Sequence, residues 1–479
     1  MYSALLKVLA LLCVIYGLSM LPPVAVSLIY ADGYAMVFSG IGVIALVVGG
    51  TVFVLTPPTD QHLRSRSGFL IVACSWFFVA LLGAVPFVLV GNFDVVTAIF
   101  EAASGFTTTG ATALVGLDDL PPSLQLYRQE TQWLGGIGVV VAAIALMPML
   151  GIGGMQLMKA ETTGPAKSDK LHPRIKHTAQ ALWRLYLFLT AACALCYWFA
   201  GMPAFDAIAH SFSTVSTGGY AIYDASFAHY QSPQIETVAI VFMLLGSVNF
   251  ALHFRAWNRL SLTPYTSNSE ARVFLVTVLT LTAFITAVLV QETDVSLAHA
   301  FRVAIFEVVS VITSTGFGID DFSVWPVLLP VLLIFISFIG GCAGSTAGGM
   351  KVIRFLVMTR QAAIEVQRLI HPRMVRPLRI GRDIIDDSVV RAVWAFFTVY
   401  AFVFVVLMLA MMWLGLDQVS AFAAVATCIN NLGPGLGEVT SNFATVSDPV
   451  KLIGAFACIL GRLEVLTIFL LFTPGFWRS

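Results

Sequence analysis

Residues 98–110 read AIFEAASGFTTTG and residues 304–316 read AIFEVVSVITSTG; aligned without a gap, they agree at eight of thirteen positions. Both are hydroxyl-rich, end on glycine and lie among long apolar runs. Two more degenerate copies complete the set. The four segments are FTTTGAT ending at Thr112, TVSTGGY at Tyr220, ITSTGFG at Gly318 and INNLGPG at Gly435. With Gly110, Gly218, Gly316 and Gly433 aligned, the intervals are 108, 98 and 117 residues. A period near one hundred decides the fold before any local reading does.

Each unit has the same parts in the same order. A long apolar helix is expected at 69–90, 178–200, 271–291 and 391–415. A shorter, less apolar segment follows, opened by Asp94, Asp206, Asp294 or Asp417, for which an aspartate N-cap is expected. The glycine segment comes next, then a second long apolar run at 130–157, 235–254, 324–356 and 450–474. The short segments cannot span a bilayer. They read as re-entrant helices that dip in from one face and stop at the glycines. An extra apolar pair, 8–30 and 35–56, precedes the first unit, and Pro22 and Pro23 mark the first of these as a kinked helix rather than a cleaved leader. The expected architecture is an all-α integral membrane protein of ten crossings. Four non-identical helix–pore helix–filter–helix repeats surround one pore. The expected divisions are 1–60 for the N-terminal pair and 61–165, 166–260, 261–365 and 366–479 for the repeats.

Composition agrees with the membrane. Apolar residues make up 58% of the 479 and charged residues 11%, where soluble domains carry about a quarter charged. The seven cysteines lie in or beside apolar runs and read as small buried side chains, the Cys193/Cys196 CxxC included. Net charge is zero, yet basic residues collect in alternate connections: Lys159 to Arg184, Arg255 to Arg272, and Lys351 to Arg391. Acids such as Asp118, Asp119, Asp224, Asp320, Asp321 and Glu438 fill the others. The positive-inside rule makes the basic connections and both termini cytoplasmic. These basic runs are topology signals rather than a nucleic-acid site.

Four short helices entering from one face would aim their negative C-terminal ends at a common axis and favour a cation. Beyond them, extended backbone can replace an alkali ion's hydration shell with carbonyls, assisted by Thr and Ser hydroxyls. Glycine is required where a Cβ would obstruct that backbone. No Ser–His–Asp, paired-carboxylate or metal-ligand constellation is present, so an enzyme is not expected. Gly340 to Gly349, GGCAGSTAGG, breaks the third unit's second apolar run, and it lacks the G-K-[ST] of a phosphate-binding loop. LGGIG, with Gly135, Gly136 and Gly138, breaks the first unit's second helix similarly; a close helix contact explains it as well as a functional role does. Arg462, inside CILGRLEVLTIF, is a charge at membrane depth and marks a functional site. It is read as gate or barrier, with an ion pair to Glu101 or Glu307 as the competing reading. Those two glutamates are expected to brace their short helices rather than bind the ion.

The ordered motifs TTTGAT, STGGY, TSTGFG, GGCAGSTAGGMK and NNLGPG resemble the Trk/Ktr/HKT superfamily of cation transporters, in particular its TrkH-type membrane subunits, over essentially the whole chain. The resemblance implies a K+ filter at Thr108, Thr109, Gly110, Ser216, Thr217, Gly218, Ser314, Thr315, Gly316, Asn431, Leu432 and Gly433. Glycine at the first position, Gly110, goes with potassium preference; Asn431 and Leu432 depart from the other three segments. It also implies a gate at Gly344, Ser345, Thr346, Ala347, Gly348, Gly349, Lys351 and Arg462. By the same resemblance the transported ion is K+ with no organic cofactor. The resemblance implies as well a homodimer in a bacterial inner membrane and a cytosolic TrkA-like nucleotide-binding subunit docked on the basic inner face, for which 159–184 and 351–391 are the expected contact. A Na+- or H+-coupled symporter, or a less selective cation transporter, is the alternative.

Overall fold

The structure, a computed structural model, describes residues 2–57, 65–141, 175–381, 383–463, 465–471 and 473–477. Lys159, Lys167, Lys170, Arg174 and Arg382 lie outside these residues, as does most of the expected run 130–157. The chain is helical almost throughout; among the described residues the only strands are a two-residue antiparallel pair, β1 (Arg379–Ile380) with β2 (Asp383–Ile384).

The first apolar run is interrupted at a single residue: α1 (Tyr2–Ser19) passes at Met20 into α2 (Leu21–Tyr30), whose first turn carries both prolines. Proline fits the first turn, where its missing N–H has no helical partner anyway. Next come α3 (Ala35–Leu55), α4 (Ser65–Leu89), the short α5 (Val95–Phe106), α6 (Pro122–Val141) and α7 (Ile175–Phe199). The second short helix is α8 (Ala204–Val215). It is followed by α9 (Pro233–Ser247), α10 (Phe250–Arg259), α11 (Thr263–Ser267) and α12 (Ser269–Glu292). The third short helix is α13 (Leu297–Ile312), followed by α14 (Leu328–Ser337), α15 (Val352–Ile370) and α16 (Asp387–Trp413). The fourth is α17 (Gln418–Asn430), followed by α18 (Asp448–Arg462), α19 (Val465–Leu471) and α20 (Pro474–Trp477).

Six helical spans among the described residues are long and apolar enough to cross a bilayer: 3–30, 35–55, 68–89, 180–199, 269–292 and 387–413. The pair α9–α10 makes a seventh if counted as one span, but it bends by 100°. The remaining expected crossings fall on α6, on the split run α14–α15 and on α18–α20. Among the described residues the second helix breaks in units two and three, at 248–249 and at 338–351. The expected continuous helix 235–254 is interrupted at Val248 and Asn249, and Asn249 caps the new helix by accepting from Ala251 N at 2.7 Å.

Burial separates the two helix types. In the six spans only 22–39% of the most apolar window is buried, leaving side chains such as Leu28, Val54, Phe402 and Trp413 exposed for lipid. The short helices are enclosed instead. Ala421, Ala423, Ala424, Val425 and Ala426 of α17 have no exposed surface, as expected for a helix buried on every side. Small residues there allow close neighbours without a desolvated polar group.

The aspartate caps hold for two helices of four. Asp94 accepts from Thr97 N at 2.9 Å and Asp417 from Ser420 N at 2.8 Å. On α13 the cap is Ser296, and on α8 the position is Pro203, with Asp206 in the first turn. Asp206 is instead held by the hydroxyls of Tyr223 and Tyr230.

Candidate functional site: a ring of four glycine segments and the loop beneath it

All four short helices end by one device. The N–H of Thr109, Gly218, Thr315 and Leu432 reaches back five residues, to Ser104, Ser213, Ser310 and Thr427 carbonyls, at 2.8–2.9 Å. The preceding residue of each, Thr108, Thr217, Ser314 and Asn431, is left-handed at φ 53–54° and bonds three residues back. This is a Schellman ending with a side-chain-bearing residue where glycine is usual. Left-handed backbone is costly for a β-branched residue, as Thr108 and Thr217 are, and such strain collects at functional sites.

This geometry corrects the register of the second segment. Its counterpart of Gly110, Gly316 and Gly433 is Gly219, not Gly218: these four have φ of 81°, 84°, 102° and 85°. Gly218 stands where the others carry Thr109, Thr315 and Leu432. TVSTGGY offers two adjacent glycines, and matching STG to TTG and STG selects the first. Ser216 accordingly corresponds to Thr107, Thr313 and Asn430, one position before the left-handed residue.

The four glycines close a ring. A Cβ built on Gly110 would lie 2.3 Å from the carbonyl oxygen of Gly218, and one on Gly219 would lie 1.8 Å from that of Thr315. On Gly316 it would lie 2.0 Å from the Leu432 oxygen, and on Gly433 3.0 Å from the Thr109 oxygen. Segment one thus abuts two, two abuts three, three abuts four and four abuts one. Outside the ring the following loops are tied together as well. Asp224 accepts from Gly116 N and Leu117 N, Gly318 O accepts from Ala228 N, and Thr112 O accepts from Phe443 N at 2.7 Å.

The ring is held by Glu101 and Glu307 together with side chains not singled out in the sequence. Glu101 accepts Arg128 Nε at 2.6 Å, both side chains buried, and also Ala113 N and the Thr112 hydroxyl. Arg128 stacks on the Tyr220 ring at 3.8 Å and donates to Ala221 O. Gln132 donates to Gly218 O at 2.6 Å and accepts from Tyr220 N at 3.0 Å. Glu307 accepts from Ile319 N at 2.9 Å. The two glutamates therefore brace the segments beyond their glycines, rather than the short helices that they were expected to brace. Arg128 and Gln132 lie on α6 in the polar stretch RQETQ, residues 128–132, and that cluster at the head of an apolar run is the signal that could have pointed to them. Several hydroxyls are committed within the ring: Thr107 to Thr109 and Thr313 to Thr315, each at 2.7 Å, while Asn431 Nδ2 donates to Thr109 Oγ1 at 2.8 Å. The Thr108 hydroxyl is buried with no hydrogen-bond partner among the described residues.

LGGIG does not break its helix: α6 runs through Gly135, Gly136 and Gly138 to Val141. The close-contact reading fits Gly135 and Gly136, whereas a Cβ on Gly138 would meet nothing within 4 Å. A Cβ on Gly135 would lie 1.9 Å from Phe106 O, and one on Gly136 2.7 Å from Ser216 Cβ, so α6 packs on the ends of α5 and α8.

GGCAGSTAGG does break its run. Residues 338–351 form a loop between α14 and α15. It is tied to the scaffold by Cys342 N to Ser247 O at 2.9 Å and Ala343 N to Glu270 at 2.8 Å, and its two ends are tied to each other by Met350 N to Phe338 O at 3.0 Å. Its middle touches the helix ends. Thr346 Oγ1 meets Thr217 Oγ1 at 3.2 Å and donates to Val215 O at 3.1 Å; Gly348 N donates to the Ser314 hydroxyl; Gly349 N donates to Asn430 O at 2.9 Å. Ser345 is bonded within the loop to Cys342 O, and Lys351 to Ala347 O. Glycine is forced at 348, where a Cβ would lie 2.2 Å from Asn430 O. Arg462 donates from Nη1 to Thr346 O at 2.8 Å. It reaches the loop, and the carboxylate of Glu101 is taken by Arg128.

A family model described as TrkH, cation transport protein, matches residues 35–478. The chain belongs to the TrkH family. It is 45% identical to the Trk system potassium uptake protein TrkH of Vibrio parahaemolyticus serotype O3:K6, over all of both chains. The Escherichia coli K12 protein of the same name is also 45% identical over all of both, and the TrkG protein of that strain is 39% identical over 97% of this chain and 96% of its own. The crystal structure of the potassium transporter TrkH from Vibrio parahaemolyticus superposes with a TM-score of 0.92 at 43% identity, each chain covered completely. As a member of the TrkH family the chain is a membrane transport protein, not an enzyme.

Proposed function

We propose that this chain takes up potassium across a bacterial inner membrane through a single path lined by its four glycine segments. The observation that carries the reading is the cyclic contact of Gly110, Gly219, Gly316 and Gly433 with the next segment's backbone. It makes four unequal stretches of one chain into the walls of one passage, with the units 61–165, 166–260, 261–365 and 366–479 supplying one wall each. Short-helix C-termini face a cation there, and backbone carbonyls replace its water. The filter comprises Thr108–Gly110, Ser216–Gly218 with Gly219 added, Ser314–Gly316 and Asn431–Gly433. The loop at Gly344–Gly349, with Lys351 and Arg462, closes the path from the cytoplasmic side.

By likeness to the relatives, whose names place them in a Trk system, we read the chain as one component of a larger assembly. A homodimer, with a cytosolic nucleotide-binding partner on the basic face, fits the charge pattern. Arg360, Arg373, Arg376, Arg379 and Arg391 are all exposed within 351–391 and suit an acidic docking surface.

The test is K+ and Na+ flux through the purified chain in liposomes, wild type against Gly110→Ser. The serine Cβ would meet the Gly218 carbonyl at a left-handed position, so one wall of the ring must give. Potassium-selective flux that the substitution opens to sodium supports the filter. Flux indifferent to the change, or no K+ flux at any gradient, overturns it.

A further inference from the structure

The corrected register gives the second segment a brace that the sequence alignment hides. Nine residues before the bending glycine stand Glu101, before Gly110, and Glu307, before Gly316. Their carboxylates accept the backbone N–H three residues after that glycine, Ala113 at 3.0 Å and Ile319 at 2.9 Å. In segment two the glycine is Gly219, so the equivalent pair is His210 and Ile222. His210 is fully buried, and its Nε2 lies 3.5 Å from Ile222 N. Segment four has Ala424 at this place and holds itself by Gly435 N to Val439 O.

We propose that His210 is a filter-positioning residue. In its neutral Nδ1–H tautomer it would do for segment two what the glutamates do for segments one and three, and so make ion discrimination sensitive to acid. The reading rests on the filter proposed above. Nδ1 lies 3.0 Å from Asp206 O, a backbone acceptor that fixes the proton on Nδ1 and leaves Nε2 as acceptor for Ile222 N. The ring is enclosed edge-on by Phe227 at 5.2 Å and Tyr230 at 5.7 Å, and it packs near Phe317, the residue after Gly316. The titratable groups around it are Asp206 on its own helix, Tyr197 on α7, and Tyr223, His229 and Tyr230 in the following loop. Asp206 Oδ2 is occupied by the Tyr223 and Tyr230 hydroxyls, His229 stacks on Tyr223 at 3.6 Å, and Tyr197 bonds Thr214. Protonation at Nε2 would place a second N–H against that of Ile222, turning the brace into a repulsion. A carboxylate at the same position repels nothing, which is why segments one and three lack this response.

The experiment is K+ and Na+ flux in liposomes for wild type, His210→Ala, His210→Gln and His210→Glu, between about pH 7.5 and about pH 3, because an imidazole buried this completely takes up its proton only well below its ordinary range. One lost hydrogen bond corresponds to about a fivefold fall in K+/Na+ discrimination for His210→Ala. Gln and Glu, which supply an acceptor, should stay within about twofold of wild type at neutral pH. Wild type should lose discrimination on acidification, and His210→Gln should not. Wild-type discrimination that is flat with pH overturns the proposal even if every variant fails to fold. So does His210→Ala at wild-type discrimination, or an acid response that persists in His210→Gln. Wild type without K+ preference at neutral pH would instead overturn the filter reading beneath it.

Discussion

Gly219→Ala and Gly218→Ala separate the structural register from the one that motif matching suggests. At 219 the new Cβ would sit 1.8 Å from the Thr315 carbonyl oxygen, in a residue with φ of 85°. Left-handed backbone costs a non-glycine residue about 1–2 kcal/mol, and forcing backbone apart in a packed site adds about 1–3 kcal/mol. The obstacle is main chain of the third segment, so relief requires the ring to open. At 218 the Cβ would meet the Gln132 side chain, Cδ and Oε1 at 2.4 Å and Cβ at 2.9 Å, so the amide must turn and α6 must give slightly, while the ring's backbone need not open. Turning that amide away loses its bonds to Gly218 O and Tyr220 N, about 2 kcal/mol in all. Three of the four segments already carry a side chain at this place. We expect Gly219→Ala to abolish K+ selectivity in liposome flux and Gly218→Ala to retain K+ preference with a lower thermal midpoint. A selective, wild-type Gly219→Ala beside a non-selective Gly218→Ala would refute the corrected register and the ring drawn from it.

Further outcomes follow from named contacts. Arg462→Ala removes the bond to Thr346 O, a charge-assisted contact of about 1.5–3 kcal/mol; K+ flux through the chain alone should rise about tenfold or more, and unchanged flux would separate Arg462 from the gate. Glu101→Gln leaves Arg128 buried without its counter-charge and should destabilise the folded chain by about 3–5 kcal/mol, read as the thermal midpoint in detergent. Asp94, outside the spanning segments, is held below its ordinary carboxyl value by the side chain and N–H of Thr97. A lowered folded value means that its stabilisation is present above the unfolded value, about pH 3.9, and is lost as pH falls through the folded one. Asp94→Asn should flatten that acid limb of the melting profile, and a persisting limb would assign it elsewhere.

The repeats were legible because they are a translation along the chain. The hydroxyl–glycine segments, the six long spans and the break at GGCAGSTAGG all show in the residues themselves. What was not legible depends on contacts between units. The register of TVSTGGY needed the bond from Gly218 N to Ser213 O. The roles of Arg128, Gln132 and His210 needed the neighbouring segments in place. LGGIG looked like a break because glycine lowers helix propensity; Phe106 and Ser216 pressed against it supply the reason for glycine inside an intact helix. The elbow at Val248 and Asn249 escaped notice because its reason is tertiary: Gly246 O and Ser247 O are spent on Thr346 N and Cys342 N of the loop.

That elbow bears on how the proposed gate could move. The loop's ends are bonded to the scaffold through Ser247 and Glu270, whereas its centre is bonded to the ring, through Thr217, Val215, Ser314 and Asn430, and by Thr346 to Gly246 O of α9 as well. Releasing the centre leaves the ends in place, so opening need not unfold the region. Four such contacts at about 1 kcal/mol each, together with Arg462 on Thr346 O, give about 6 kcal/mol holding the loop against the ring. Shifting a two-state equilibrium from 1:99 to 99:1 takes about 5.5 kcal/mol. On the proposed gating, the loop would be held about as firmly as a ligand with that differential affinity for the two states could overcome. It touches segments two, three and four and leaves the hydroxyl of Thr108 in segment one without a hydrogen-bond partner among the described residues. Permeation past an incompletely withdrawn loop would therefore begin beside Thr108, and Thr108→Val should lower K+ flux more than Ser314→Ala, whose hydroxyl the loop already occupies.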